Sequence, residues 1–172
     1  MTSDLEKALL TGFLDKNIIS YEHLQPKLLV NDKSQNLKIL GSFLTCLRQC
    51  EEFWFSVAFV TPSGVACIHN TLDLLEQKGI KGKILVSQYL NFTHPEALRY
   101  LLRFSNIETK FIQTQDFHGK SYMFKTGNQY ELIMGSSNLT ADALCSNSEL
   151  NLRVRLSGNS KVIDESRFCL LY

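Results

Sequence analysis

Five polar residues in the last third of the chain have types and spacings that could act on a phosphate ester. His118-Gly119-Lys120 sets an imidazole and an ammonium two residues apart. On a strand, residues i and i+2 point to the same side, so both could face one substrate. Gly135-Ser136-Ser137-Asn138 repeats that spacing with a hydroxyl and an amide at Ser136 and Asn138, and Glu149 follows eleven residues later. If the two segments pair, four polar side chains meet on one patch. A neutral imidazole can attack phosphorus and split one difficult displacement into two through a covalent intermediate. Its other ring nitrogen then needs an acceptor, for which Glu149 is the candidate. Lys120 offers a point charge to the non-bridging oxygens, Asn138 an amide and Ser136 a hydroxyl. This chemistry asks for no metal or cofactor.

Other residues carry weaker signals. Gly119-Lys120-Ser121 resembles the end of a nucleotide-binding loop, but the required first glycine falls on Thr114. His69 and His94 stand without partners and read as surface or cap residues. Lys78, Lys81 and Lys83 read as a solvated turn rather than a nucleic-acid rim. Ser136-Ser137-Asn138 could also cap a helix starting near Leu139, a use compatible with phosphate binding. The odd cysteine count, five, and the absence of a CxxC pair argue against a disulfide framework or a zinc ribbon. Cys46 and Cys50, one helical turn apart, read as small apolar side chains on a buried face.

The elements that must position these residues can be read from periodicity. Leu5 to Leu14 suits a short amphipathic helix and Lys27 to Asn31 a strand. Ser34 is a plausible cap for a helix carrying Leu37, Leu40, Phe43, Leu44 and Leu47. Phe53 to Val60 is nearly all apolar, the pattern of a strand buried on both faces, with Trp54 in the core. Pro62 can open a helix running to about Lys78. Lys83 to Val86 is a second buried strand, His94-Pro95 starts a helix through Arg103, and Ile107 to Gln113 is a strand. Ser121 to Lys125 and Tyr130 to Met134 flank Thr126-Gly127-Asn128-Gln129, a hairpin turn. His118 to Lys120 is placed at the head of the first of these strands. Asn138 to Leu144 reads as a short helix and Glu149 to Leu156 as an alternating strand. Strand–helix alternation followed by a strand-rich end predicts an α/β sandwich with a mixed central sheet flanked by helices.

The pattern HxK, then GSxN, then Glu eleven residues on resembles the single-copy active-site signature of the phospholipase D superfamily, as found in its bacterial nucleases. With FWFSVAF, GIKGKILVSQYLNFTHPEALRYLL, HGKSYMFK and IMGSSNLTADAL, the chain is similar to the phospholipase D-like module at the N-terminus of bacterial DEAD/DEAH-type helicases, from about Leu9 to Val154. HxK alone is a poor signal; joined to GSxN and the spaced Glu it is a strong one. The resemblance implies His118 as nucleophile and proton carrier, Lys120 and Asn138 as phosphate ligands, Ser136 as a pocket hydroxyl and Glu149 as the carboxylate that orients a histidine. It also implies a homodimer, because the family builds one site from two motifs and this chain holds one. The family's fuller motif has an Asp five residues after the Lys, where this chain has Lys125. The expected activity is metal-independent cleavage of DNA. The competing expectation is a non-catalytic module that docks a nucleic-acid backbone for a helicase. A lipid phosphodiesterase is the weakest reading, since no membrane-docking segment is apparent.

Composition sets bounds. The chain of 172 residues suits one domain, 1–172, with an N-terminal helical segment at 1–25 and a catalytic core at 26–172, standing alone or as the N-terminal part of a longer helicase. A net charge of +1 argues against a histone-like, charge-driven DNA binder while leaving room for a locally basic groove. No stretch approaches the roughly 18 apolar residues of a membrane span. The opening residues do not read as a signal peptide, so a cytoplasmic location without membrane partners is expected.

Overall fold

The computed structural model describes residues 3–113 and 116–168. The strands are β1 (Lys27–Leu29), β2 (Glu52–Val57), β3 (Lys81–Ser87), β4 (Ile107–Ile112), β5 (Ser121–Thr126), β6 (Gln129–Gly135) and β7 (Asn151–Ser157). They form one sheet ordered β1-β7-β6-β5-β2-β3-β4. β2, β3 and β4 are parallel, and the other pairings are antiparallel. The helices are α1 (Asp4–Phe13), α2 (Ile39–Gln49), α3 (Pro62–Gln77), α4 (Pro95–Leu101), α5 (Ala141–Cys145) and α6 (Lys161–Phe168). The mixed sheet flanked by helices is the architecture expected from the sequence.

β2 explains why its sequence is continuously apolar. Phe53, Phe55 and Val57 join the larger core with Phe43 and Leu47 of α2 and Leu72 of α3. Trp54 points the other way, into a smaller cluster with Leu85, Met123, Leu132 and Ile163 of α6. The larger core centres on Phe43, whose ring meets Tyr122 edge-on at 4.9 Å and Phe55 at 5.2 Å. Burying each such ring stabilises the fold by roughly 1.5–3 kcal/mol. Burial pushes the Cys46 thiol up to about 11 and the Cys50 thiol up to about 12, as expected of apolar packing residues.

Several boundaries differ from expectation for local reasons. Ser34 does not cap α2; its backbone N–H and its hydroxyl both donate to Asp32 Oδ1, closing a tight loop. Asn31 instead accepts from the Ile39 N–H at 2.9 Å, satisfying the first turn of α2 from outside. The stretch from Asn138 is helical only over Ala141–Cys145, because Thr140 is the residue that caps it. His118 to Lys120 precede β5, and Glu149 precedes β7, rather than lying within strands. α6 was not foreseen. His94 does cap α4, its Nδ1 accepting from the Glu96 N–H at 3.2 Å. The supposed turn lysine Lys83 lies in β3 and pairs with Glu108 at 3.0 Å.

Candidate active site

The topology delivers every candidate residue to one edge of the sheet. β2 and β3 run toward it and end at Val57 and Ser87; β6 also ends there, at Gly135, while β5 and β7 begin there. The registers Ser121↔Met134 and Gly135↔Asn151 place the HGK segment, the GSSN segment and the approach to β7 side by side. The Gly135 N–H reaches the Lys120 carbonyl at 3.3 Å, continuing the ladder one step past β5.

The GSSN segment is held from several directions. A Cβ on Gly135 would stand 2.3 Å from the Leu150 carbonyl, so only glycine admits that approach. A Cβ on Gly64 would stand 2.0 Å from the Leu139 carbonyl, so α3 rests directly against the residue that follows the motif. Buried Asn151 clamps Ser137, accepting from its N–H at 3.2 Å and donating to its hydroxyl at 2.8 Å. The Tyr122 hydroxyl donates to the Ser137 carbonyl at 2.9 Å. Asn138 Oδ1 accepts from the Phe59 N–H at 3.2 Å, which leaves its amide NH2 to point elsewhere. The Ser136 hydroxyl donates to Glu149 and accepts from the Leu150 N–H at 3.0 Å.

The HGK segment is held more lightly. His118 is exposed, and its imidazole lies against the Tyr89 ring at 4.3 Å between centroids. Burial, and then the Lys120 charge, hold the imidazole below its ordinary value, which favours the neutral form at pH 7. Lys120 is 9% exposed, and its ammonium donates to the His118 carbonyl at 2.7 Å. Burial lowers its pKa, while the nearby Glu149 charge works the other way. One hydroxyl fixes the base of this segment: the fully buried Ser87 Oγ lies 2.8 Å from the Ala58 carbonyl and 2.9 Å from that of Phe117. Lys125, at the position of the absent aspartate, lies toward the far end of β5, 4.0 Å from Glu52.

All five sequence candidates thus gather at one strand-end cluster. Glu149 is within electrostatic reach of Lys120 but bonds Ser136, and the His118 ring makes no hydrogen bond among the described residues. Sequence reasoning missed Tyr89, Ser87 and Asn151. Asn151 carried no usable signal, because it falls on the polar phase of the alternating strand, beside Glu149 and Arg153, and its burial is set by the fold. Tyr89 carried none, since its loop meets His118 only through the fold. That loop is strained: Leu90 and Asn91 adopt φ of 47° and 60°, unusual for residues other than glycine. It carries Phe92, 54% exposed, which packs edge-on against Phe59 at 5.4 Å. Among the described residues no three His, Cys, Asp or Glu side chains converge to hold a metal ion, and no helix is long and apolar enough to cross a membrane.

Residues 44–166 match the family described as cardiolipin synthase, PLD-like domain. Similar solved structures include NucT from Helicobacter pylori, at 16% identity and a TM-score of 0.64, covering 86% of this chain and 93% of that one. The phospholipase D family member Nuc from Salmonella typhimurium matches at 18% identity and 0.58, covering 84% and 90%. Phosphatidylserine synthase from Haemophilus influenzae matches at 10% identity and 0.65, covering 84% of this chain and 37% of its own. No curated protein matches the sequence.

Proposed function

Because the chain belongs to the phospholipase D-like family, we propose that it is a metal-independent phosphodiesterase that cleaves DNA at a site shared by two copies of itself. The observation that carries this reading is the convergence of His118, Lys120, Ser136, Asn138 and Glu149 at one sheet edge, with His118 exposed and its neutral form favoured. In the first step a ring nitrogen of His118 attacks phosphorus. The P–N bond forms as the P–O bond to the leaving group breaks, and His118 of the second copy, which enters as the imidazolium, gives its proton to that oxygen and becomes the neutral imidazole. In the second step the latter imidazole takes a proton from water, whose oxygen attacks phosphorus, breaks the P–N bond and regenerates both rings. Lys120 and the Asn138 amide stabilise charge on the non-bridging oxygens. Among the described residues Glu149 bonds Ser136 and no imidazole, and in this reading the ring it orients is that of the second copy.

A nucleic-acid substrate is supported by the aromatic rim. Tyr89 lies against His118, exposed Phe92 of the same loop packs on Phe59, and the Phe59 N–H meets Asn138; bases stack on aromatic rings of this kind. Resemblance to helicase N-terminal modules supports a role beside a helicase, in this or a longer chain, and hence work in the cytoplasm. The unbonded His118 ring also fits a second reading, a non-catalytic dock for a phosphate backbone. Plasmid nicking with excess EDTA, alongside mass measurement by gel filtration, tests the proposal. Nicking should persist, at twice the monomer mass of 19.6 kDa. Loss of nicking in chelator overturns the mechanism, and a monomer that still nicks overturns the shared site. DNA binding without nicking, indifferent to His118→Ala, selects the dock.

A further inference from the structure

We propose that a cavity at the opposite end of β5 to β7, between those strands and α2, is a second binding site, taking the dianion of a phosphomonoester. The cavity measures about 280 Å³, and its walls include Lys27, Thr45, Gln129, Glu131, Arg153 and Arg155. Arg155 lies four residues along β7 from Asn151, and Gln129 six residues along β6 from Gly135, which sets the cavity roughly 15 Å from the phosphodiesterase edge.

The charge placement is what calls for a ligand. Glu131 and Arg155 are direct cross-strand neighbours, and the Arg155 Nε donates to the carboxylate at 2.7 Å. Lys27 and Arg153 are also direct cross-strand neighbours, and both are cations. Like charges facing each other across an antiparallel pair destabilise it unless an anion lies between them. Among the described residues the carboxylate paired with Arg153 is that of Glu131, whose Oε2 lies 3.4 Å from its Nε while its Oε1 serves Arg155, so one carboxylate is shared by two guanidinium groups. Arg153 is 17% exposed; its Nε faces the Glu131 oxygen that Arg155 does not hold, and its remaining guanidinium donors make no hydrogen bond among the described residues. Lys27 has Glu22 at 3.9 Å, but that carboxylate is 89% exposed and screened by water.

Three cations against one cavity carboxylate leave two positive charges, the complement of a phosphomonoester, which carries nearly two negative charges at pH 7. The terminal nitrogens of Arg153 and the Lys27 ammonium suit phosphate oxygens, and Gln129 adds a neutral amide donor. A free nucleoside monophosphate and the terminal phosphate of a DNA strand share this chemistry. The site does not depend on the nuclease reading, and its test does not read cleavage.

The test is calorimetric titration of the full chain carrying His118→Ala, so that nothing is cleaved. The probes are adenosine 5′-monophosphate, adenosine, and a DNA tetranucleotide with and without a 5′-phosphate. The monophosphate should bind saturably and adenosine at least tenfold more weakly. Adding Lys27→Gln or Arg153→Gln should each weaken the monophosphate tenfold or more, whereas adding Lys120→Ala should leave it unchanged. Lys27 is exposed enough that its variant tests the site even if the Arg153 variant fails to fold. Tighter binding of the tetranucleotide with the 5′-phosphate than without it, the difference disappearing in Lys27→Gln, assigns strand ends; no such difference, with the monophosphate bound, assigns free nucleotides. Equal affinity for adenosine, indifference to Lys27→Gln, or a loss that tracks Lys120→Ala overturns the proposal.

Discussion

The two halves of the candidate site are built to different standards. The GSSN half is braced by Asn151, Tyr122, the Phe59 N–H and the close approach of α3 at Gly64. The HGK half keeps its histidine exposed, with a ring contact to Tyr89 and a lysine whose ammonium bonds its own neighbour's carbonyl. Phosphate ligands gain from being fixed before the substrate arrives, because oriented donors then need no reorganisation during reaction. The nucleophile can be left looser if a second copy completes its surroundings. The difference teaches that the half offering phosphate ligands is fixed by many contacts within the chain, while the half carrying the histidine is held by few.

The sharpest way to break this comparison is His118→Ala. Removing a nucleophile should lower turnover by about 10⁴-fold or more, with DNA affinity retained. Retained nicking would remove His118 from the chemistry. Lys120→Ala should cost about 10²–10³-fold in kcat, the usual loss of one oxyanion-type donor. A change confined to KM would instead make Lys120 a simple anchor. Asn151→Ala should act on the fold, destabilising by about 1–3 kcal/mol as the buried Ser137 N–H and hydroxyl lose their partner. Denaturant melts would show it, and an unchanged midpoint would mean the GSSN half is not braced as described.

Tyr89→Ala should have the smallest effect on turnover, about 3–10-fold, the scale of one aromatic contact. Its more telling readout is pH. Burial and the Lys120 charge hold His118 below its ordinary value, so the acidic limb of the rate profile should fall below about 6.5. Exposing the ring raises that pKa, so the limb should move to higher pH in Tyr89→Ala and activity at pH 6 should fall more than at pH 8. An unmoved limb would make Tyr89 a mere neighbour.

Much of this arrangement was legible in the residues. The double-sided burial of β2, the hairpin at Gly127, where φ is 56°, and the opening of α3 at Pro62 follow from local chemistry. The spacing of the five candidate residues also put them at the ends of neighbouring strands, where the structure brings them together. What could not be read was set by distant partners. Ser34 had a nearer acceptor in Asp32 than any helix N–H, and Asn138 turned out to be engaged by a backbone group 79 residues away. Tyr89 reaches His118 only because β3 and β5 flank β2. α6 shows little apolar pattern beyond Ile163, which alone among its described side chains joins the thin second core.

Ser87 has a consequence for how such a scaffold can be re-specified. Its side chain spans the Ala58 and Phe117 carbonyls, and its own carbonyl accepts from the Thr93 hydroxyl at 2.6 Å. Residues 88–92 therefore leave and rejoin the framework at two tethered points. The Phe117 carbonyl, one residue before His118, is thus anchored independently of that segment, so the rim that carries Tyr89 and Phe92 can vary in length or chemistry while the frame beneath the candidate site stays in place.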